Sequence, residues 1–352
     1  MSLVCEGITL IESSGSIISD NIITKVDYAV WIGYGSHGNN FYNNTVTQSK
    51  YGFGFSNLYS AWPSDTNNTD IADTSNTVDG KLVYYWVDKR DMEIPTDAGD
   101  VVLINCHNIT VTNLNLTRNY DSILLVNTTD SSINQTTIIN GLKGVHMVNS
   151  HNITVTGLEL INAPIRLQGT NDSLITENFI SGSTNIEFWQ SSGNMIYHNE
   201  FDNYTLSVYL DGISSNKWDD GYPSGGNRWG HMLLSGGYAN YQDMYWGMFQ
   251  NRTGCDGIAD TAYILDTDNI DHYPLASPYW YWKNPIICDI NRDAKVDMKD
   301  VEATVKSFGA IPTSPTWNPS ADVNGPQYLH PDGKIDIRDV SLIARNVGKT
   351  AY

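Results

Sequence analysis

Positive charge is scarce in this sequence. Its 352 residues carry 20 Lys and Arg against 39 Asp and Glu, a formal net charge of −19. That deficit argues against nucleic acid as a partner, because phosphates demand a basic face. It suits cations, a saline exterior, or repulsion that keeps a surface protein soluble. Cysteine is scarce too. Cys5, Cys106, Cys255 and Cys288 show no C-x-x-C spacing, which argues against structural zinc. Cys255 and Cys288 flank one segment and are spaced to pair in an oxidising compartment, while Cys5 and Cys106 read equally well as free thiols. No apolar run approaches the ~20 residues of a membrane span. The opening "MSLVCEGITL" lacks the basic start and long apolar core of a signal peptide.

Asn, Thr, Ser, Gly and Tyr are abundant instead. Ten N-x-S/T sequons stand at Asn43, Asn67, Asn108, Asn115, Asn127, Asn134, Asn152, Asn171, Asn203 and Asn251. They point to an exported, glycosylated protein at the cell surface, although an Asn- and Thr-rich repeat also creates sequons by chance.

Residues 105–212 divide into similar pieces: "NCHNITVTNLNLTRNYDSILLV", "NTTDSSINQTTIINGLKGVHMV", "NSHNITVTGLELINAPIRLQ", "GTNDSLITENFISGSTNIEFWQ" and "SSGNMIYHNEFDNYTLSVYLDG". Each has an Asn-rich turn, an I-x-V/I step, an apolar pair and a short alternating strand. Residues 13–55 carry the same theme. A period of about 22 residues indicates a solenoid. No helical periodicity lies between the strands, which excludes a leucine-rich horseshoe and leaves a right-handed parallel β-helix. Asn suits its corners because it tolerates left-handed backbone and stacks into ladders. The chain opens directly in a rung, so upstream sequence or another element is expected to cover that end. Residues 59–100 interrupt the repeat and read as a projecting insertion with a hairpin at "DG".

Three phrases resemble the archaeal cell-surface branch of the NosD-like family of right-handed β-helix proteins, also called CASH-domain carbohydrate-binding and hydrolase-like repeats. They are "NTVDGKLVYYWVDKRDMEIPTDAGDVVLINCHNITVTNLNL", "NKWDDGYPSGGNRW" and "DGIADTAYILDTDNIDHYPL". The resemblance covers roughly residues 1–282, with 231–255 departing from the family pattern. It implies a β-helix over 1–215 and a family-typical cap over 216–285. Members are often linked to copper delivery. Copper wants clustered His, Met and Cys, and here eight His and eight Met are scattered.

The acidic phrase "DINRDAKVDMKDV" (289–301) is echoed by "DGKIDIRDV" (332–340). In the first copy Asp289, Asn291, Asp293, Asp297 and Asp300 hold places one, three, five, nine and twelve. Lys295, at seven, offers its carbonyl. That is the oxygen spacing of an EF-hand-type calcium loop. Ala294 replaces the usual Gly, and Asp300 the usual Glu. The second copy uses Asp322, Asn324, Asp332, Lys334, Asp336 and Asp339 around an insert of six extra residues. Each copy runs into an amphipathic stretch. The pair resembles a dockerin module over 286–352, which implies Ca2+ as cofactor and, as partner, a cohesin-like domain or neighbouring copies in a surface assembly. A cap packed in cis is the alternative. A module this small has little core, and two ions would supply folding energy.

A further acidic group, Asp256, Asp260, Asp266, Asp268 and Asp271, reads equally as another calcium site or an acidic loop. On the β-helix, Val145 and Met147 facing inward puts His146, Arg166, Glu187 and Tyr209 in one outward column, beside Val148, Gln168, Trp189 and Asp211. Such a face fits a sugar groove or a solvated ladder, with Arg166 and Glu187 as cross-rung partners. The crowded aromatics of 276–282 suit packing between domains. No carboxylate pair repeats near His146, so the residues lean away from a polysaccharide lyase or hydrolase. The expectation is a surface protein with a structural, adhesive or carbohydrate-binding role.

Overall fold

The structure, a computed structural model, describes residues 5–60, 70–182, 185–202, 207–211, 213–230, 243–253, 256–276, 288–291, 295–323 and 333–350. Asn67, Asn203, Cys255, Asp293, Asn324, Asp332 and all the 276–282 aromatics lie outside them. The chain divides into two compact units: Met1–Ile196 with Phe201–Lys217, and Tyr197–Glu200 with Trp218–Tyr352.

The first unit is a parallel β-helix of about eight turns, built in two sections. The shorter, N-terminal section has three rungs. Its three sheets are Glu6–Leu10, Tyr28–Ile32 and Tyr51–Phe55; Ile17–Ser19, Asn40–Tyr42 and Ile71–Ala72; and Ile22–Thr24, Thr45–Thr47 and Thr77–Val78. The longer section stacks Lys81–Val87, Ala98–Ile104, Asp121–Val126, Lys143–Val148, Ile165–Gln168, Asn185–Trp189 and Ser207–Leu210 in parallel. Two six-stranded sheets of shorter strands accompany it, one starting at Arg90–Glu93 and the other at Asn115–Thr117. Ile123, Val145, Ile165 and Ile186 are in register and fully or almost fully buried, as are Leu125, Met147, Leu167 and Phe188. Each such side chain contributes about 1.5–3 kcal/mol by leaving water.

The corners explain the abundance of Asn. Left-handed backbone recurs once per rung at Asn105, Asn127 and Asn149, again at Asn108, Asp130 and Asn152, and again at Arg118, Asn140 and Asn162. Amides bridge successive rungs: Asn127 donates to Asn105 at 3.2 Å and Asn162 to Asn140 at 3.0 Å. In the N-terminal section Asn21, Asn44 and Asn76 form a similar ladder at 2.9 and 2.8 Å.

The expected hairpin is present. Val78 pairs antiparallel with Lys81 across Asp79 and Gly80, both with positive φ. It is not the tip of a projecting insertion over 59–100. Lys81–Val87, Arg90–Glu93 and the start of Ala98–Ile104 are strands of the longer section, because their apolar residues continue its columns. What departs from the rung pattern is narrower, around a one-turn helix α1 (Asn57–Ser60). The hairpin reverses the chain, so the short section covers part of the longer section's outward face. Val30, Ile32, Phe41, Phe53, Phe55 and Leu58 share one core with Val102, Ile104, Leu124, Val126 and Val148. Gly54 permits this, since a Cβ there would run into the Tyr120 ring.

In the second unit the Gly-Gly-Asn-x-Trp phrase surrounds one buried carboxylate. Asp271 Oδ2 accepts from Asn227 N at 2.8 Å and Trp229 Nε1 at 2.9 Å, and Oδ1 accepts from Tyr273 N at 3.2 Å. A Cβ at Gly226 would overlap that carboxylate. Trp218 and Trp229 are fully buried, and Trp218 Nε1 donates to Asn269 at 3.0 Å. Two of the recurring phrases therefore belong together, because "DNID" supplies the carboxyl group that "GGNRW" encloses. Further along are helices α2 (Met298–Lys306) and α3 (Ile337–Asn346), around a small core of Ile290, Val296, Ala321, Ile335 and Ile343. Cys288 is a buried free thiol there, approached by Asn346 Nδ2 at 3.5 Å; Cys255, its candidate partner from the sequence, lies outside the described residues.

Candidate functional site

The doubled acidic phrase folds into two matching halves. Asp297 and Asp336 cap α2 and α3, and each accepts from the backbone two residues on, at 2.7 and 2.8 Å. Asp300 Oδ1 accepts from Ile290 N at 2.7 Å and Asn291 N at 3.1 Å, and its Oδ2 accepts from Asp297 N at 2.7 Å. Asp339 repeats the pattern with Val323 N at 2.9 Å and Asp336 N at 2.8 Å. Val296 O accepts from Gly348 N at 2.8 Å, and Ile335 O accepts from Gly309 N at 2.8 Å. Each loop is therefore tied to the segment that follows the other helix. The six extra residues of the second copy leave Asp322 and Asp339 in register with Asp289 and Asp300 at the described positions. Asp289, Asp300, Asp322 and Asp339 are all buried. Lys295 and Lys334 keep exposed side chains beside Asp297 and Asp336, at 3.0 and 3.8 Å. The hydrogen bonds and ion pair of Arg338, aided by Lys334, hold the Asp336 carboxyl at about 2. The donor set is all oxygen and suits a hard divalent cation.

The other acidic group is not gathered. Asp256 accepts from Ile258 N and Gly247 N, Asp260 from Met244 N and Tyr245 N, and Asp266 from Asp268 N; Asp268 is exposed. These carboxylates are engaged by backbone N–H groups, in their own turns or in the 244–247 segment, and among the described residues no group of three His, Cys, Asp or Glu converges as a metal site. Burial pushes Asp271 up to about 8, partly offset by its three N–H donors.

On the β-helix the outward column has the expected register, His146–Arg166–Glu187–Tyr209, yet its two ends differ. His146 is 0% exposed. Tyr59 of α1 packs its ring 4.4 Å from the imidazole. Beneath lies a polar seam that sequence reasoning missed. Asp121 Oδ1 meets His146 Nδ1 at 3.0 Å and Lys143 Nζ at 3.2 Å, while Tyr59 OH donates to Oδ2 at 3.0 Å. Lys143 Nζ also donates to Tyr59 OH at 2.5 Å. Burial alone would raise the Asp121 carboxyl, but Lys143 and His146 hold it at about 2. Burial lowers His146 to about 4. The missed signal was lost alternation: "VVLI" and "ILLV" are apolar on both faces, as in strands covered twice.

The other end is open. Arg166 Nε lies 3.3 Å from Glu187 and its guanidinium 5.7 Å from the Trp189 ring. Trp189 and Tyr209 are 38% and 45% exposed, with centroids 4.8 Å apart. Asp211 turns to the backbone instead, accepting from Gln190 N, Ile213 N and Ser214 N. The geometry is that of a stacked ladder. Of the sequons, Asn43, Asn108, Asn115, Asn152 and Asn251 are exposed, while Asn127, Asn134 and Asn171 are half-buried.

Comparison with known proteins agrees with the solenoid. Residues 64–238 match the family model described as periplasmic copper-binding protein (NosD), a match over nearly half of the chain. No curated protein and no solved structure matches it. The copper of that description does not fit the described residues, whose His37, His107, His146 and His151 stand on different rungs, with His146 sealed. The chain carries a NosD-like parallel β-helix.

Proposed function

We propose that this is an exported surface protein whose β-helix is a rigid scaffold and whose C-terminal module, folded by calcium, docks it to a partner. The observation that carries this reading is the duplicated loop–helix geometry around buried Asp289, Asp300, Asp322 and Asp339. Each loop buries two carboxylates in a small core, a charge that a hard cation bound at that loop would offset. With calcium bound, Asp289, Asn291, Asp293, the Lys295 carbonyl, Asp297 and Asp300 would hold one ion. Asp322, Asn324, Asp332, the Lys334 carbonyl, Asp336 and Asp339 would hold the other.

The two helices present matching outer faces. Met298, Lys299, Val305, Lys306 and Phe308 correspond to Ile337, Arg338, Ala344, Arg345 and Val347, and the apolar members are exposed. An apolar face edged by cations, in a chain this acidic, fits an acidic protein partner such as a cohesin-like domain. The match to a periplasmic family model supports export. Among the described residues no helix is long and apolar enough to cross a membrane. A carbohydrate-binding role rests on the open Arg166–Glu187–Trp189–Tyr209 end. A polysaccharide-cleaving enzyme is the weaker reading: Asp121 beside His146 offers acid–base groups, but both are sealed. Calorimetry of the full chain is expected to show two calcium ions, with Asp300→Ala and Asp339→Ala each lowering that number. Heat from neither addition nor chelation would overturn the reading.

A further inference from the structure

Lys143 and Asp121 are directly paired residues of neighbouring rungs. Their side chains are only 11% and 3% exposed, with Nζ 3.2 Å from Oδ1. The other lysine–carboxylate pairs, Lys295–Asp297, Lys306–Glu302 and Lys334–Asp336, leave the lysine well exposed. The Lys143 ammonium lies between two aromatic faces, 4.4 Å from the Tyr59 ring and 4.7 Å from that of Tyr120. Both oxygens of its partner carboxyl face a donor, His146 Nδ1 and Tyr59 OH, at 3.0 Å each. Water is excluded, the amine and carboxyl are held together, and the carboxyl is polarised from both sides.

From this juxtaposition we propose that Lys143 and Asp121 condense into an intramolecular isopeptide bond that staples two rungs. The resting ion pair first passes a proton from Nζ to the carboxylate; Lys143 and His146 hold that carboxyl low, so the transfer is uphill, and burial lessens its cost by removing two charges from a dry site. The neutral amine then attacks Asp121 Cγ. The N–C bond forms, the oxyanion is held by His146 and Tyr59, the surplus proton on the nitrogen passes to the hydroxyl, the C–O bond breaks, and one water leaves. No oxidant or cofactor is needed. Asp100 is fully buried, and burial together with the nearby charge of Asp121 pushes its carboxyl well up. Such a bond suits an exported protein whose described cysteines, Cys5, Cys106 and Cys288, are all free. The inference is independent of the docking reading, since it concerns only the β-helix.

The test is the intact mass of the full chain, purified from a host that does not glycosylate it. The mass is expected to be one water below that of the sequence, and a digest is expected to give a branched peptide joining the segments that contain residues 121 and 143. Lys143→Met should restore the full mass. Tyr59→Phe and His146→Gln should give mixtures of linked and unlinked chains. A wild-type chain of full mass with separate linear peptides would overturn the proposal, whether or not any variant folds. So would a loss of water that persists in Lys143→Met.

Discussion

The β-helix and the C-terminal module both repeat a unit, but they stabilise it in opposite ways. In the β-helix a rung of about 22 residues recurs often enough for apolar columns to form, and Ile123, Val145, Ile165 and Ile186 bury one another. In the module the unit occurs twice, and what the copies bring to the centre is carboxylate: Asp289, Asp300, Asp322 and Asp339. A solenoid needs only its own side chains. In the function proposed above, the doubled acidic loop takes its folding energy from cations.

The sharpest way to break that contrast is to remove one buried carboxylate from the module. Asp300→Ala strips the partner from three backbone N–H groups. A loss of about 3 kcal/mol or more is expected, enough to melt α2 and α3 in far-ultraviolet circular dichroism while the solenoid signal stays. The converse change, Leu125→Ala in the rung core, is expected to cost about 2–5 kcal/mol. It should lower the melting temperature of the β-helix and leave calcium affinity unchanged.

Much of the solenoid was legible because its rules are local. Asn at left-handed corners and alternating apolar strands mark rungs without knowledge of the fold, as "IRLQ" and "IEFW" do. The covering of Val102, Leu124 and Val148 by the short section was not read, although "VVLI" and "ILLV" announce it. Nor was the seam, because Tyr59 and Lys143 are 84 residues apart and meet only when the hairpin reverses the chain. In the module, the register of Asp322 with Asp339 across an insert was legible from spacing. The uses of Asp256, Asp260 and Asp266 were not, since acidic composition does not say whether a carboxylate faces an ion or its own backbone.

Two smaller effects sharpen the comparison within each unit. Asp271 is held at about 8 by burial, above its unfolded value of 3.8. Its contribution is therefore full below about pH 4 and is lost as pH rises through 8. Chemical denaturation across that range should show a downward slope that Asp271→Asn removes. On the open end of the long sheet, Arg166→Ala breaks a half-exposed pair with Glu187. It is expected to cost about 0.2–1 kcal/mol, whereas Val126→Asp, under the covered end, should prevent the short section from docking and expose 28–32 to proteolysis.

The most direct test of the account is hydrogen exchange of the full chain with calcium and then with a chelator. The amides of 298–306 and 337–346 should be protected with calcium and exchange rapidly without it, while those of 121–126, 143–148 and 165–168 stay protected in both. Helices that remain protected after chelation would contradict the claim that calcium folds the module.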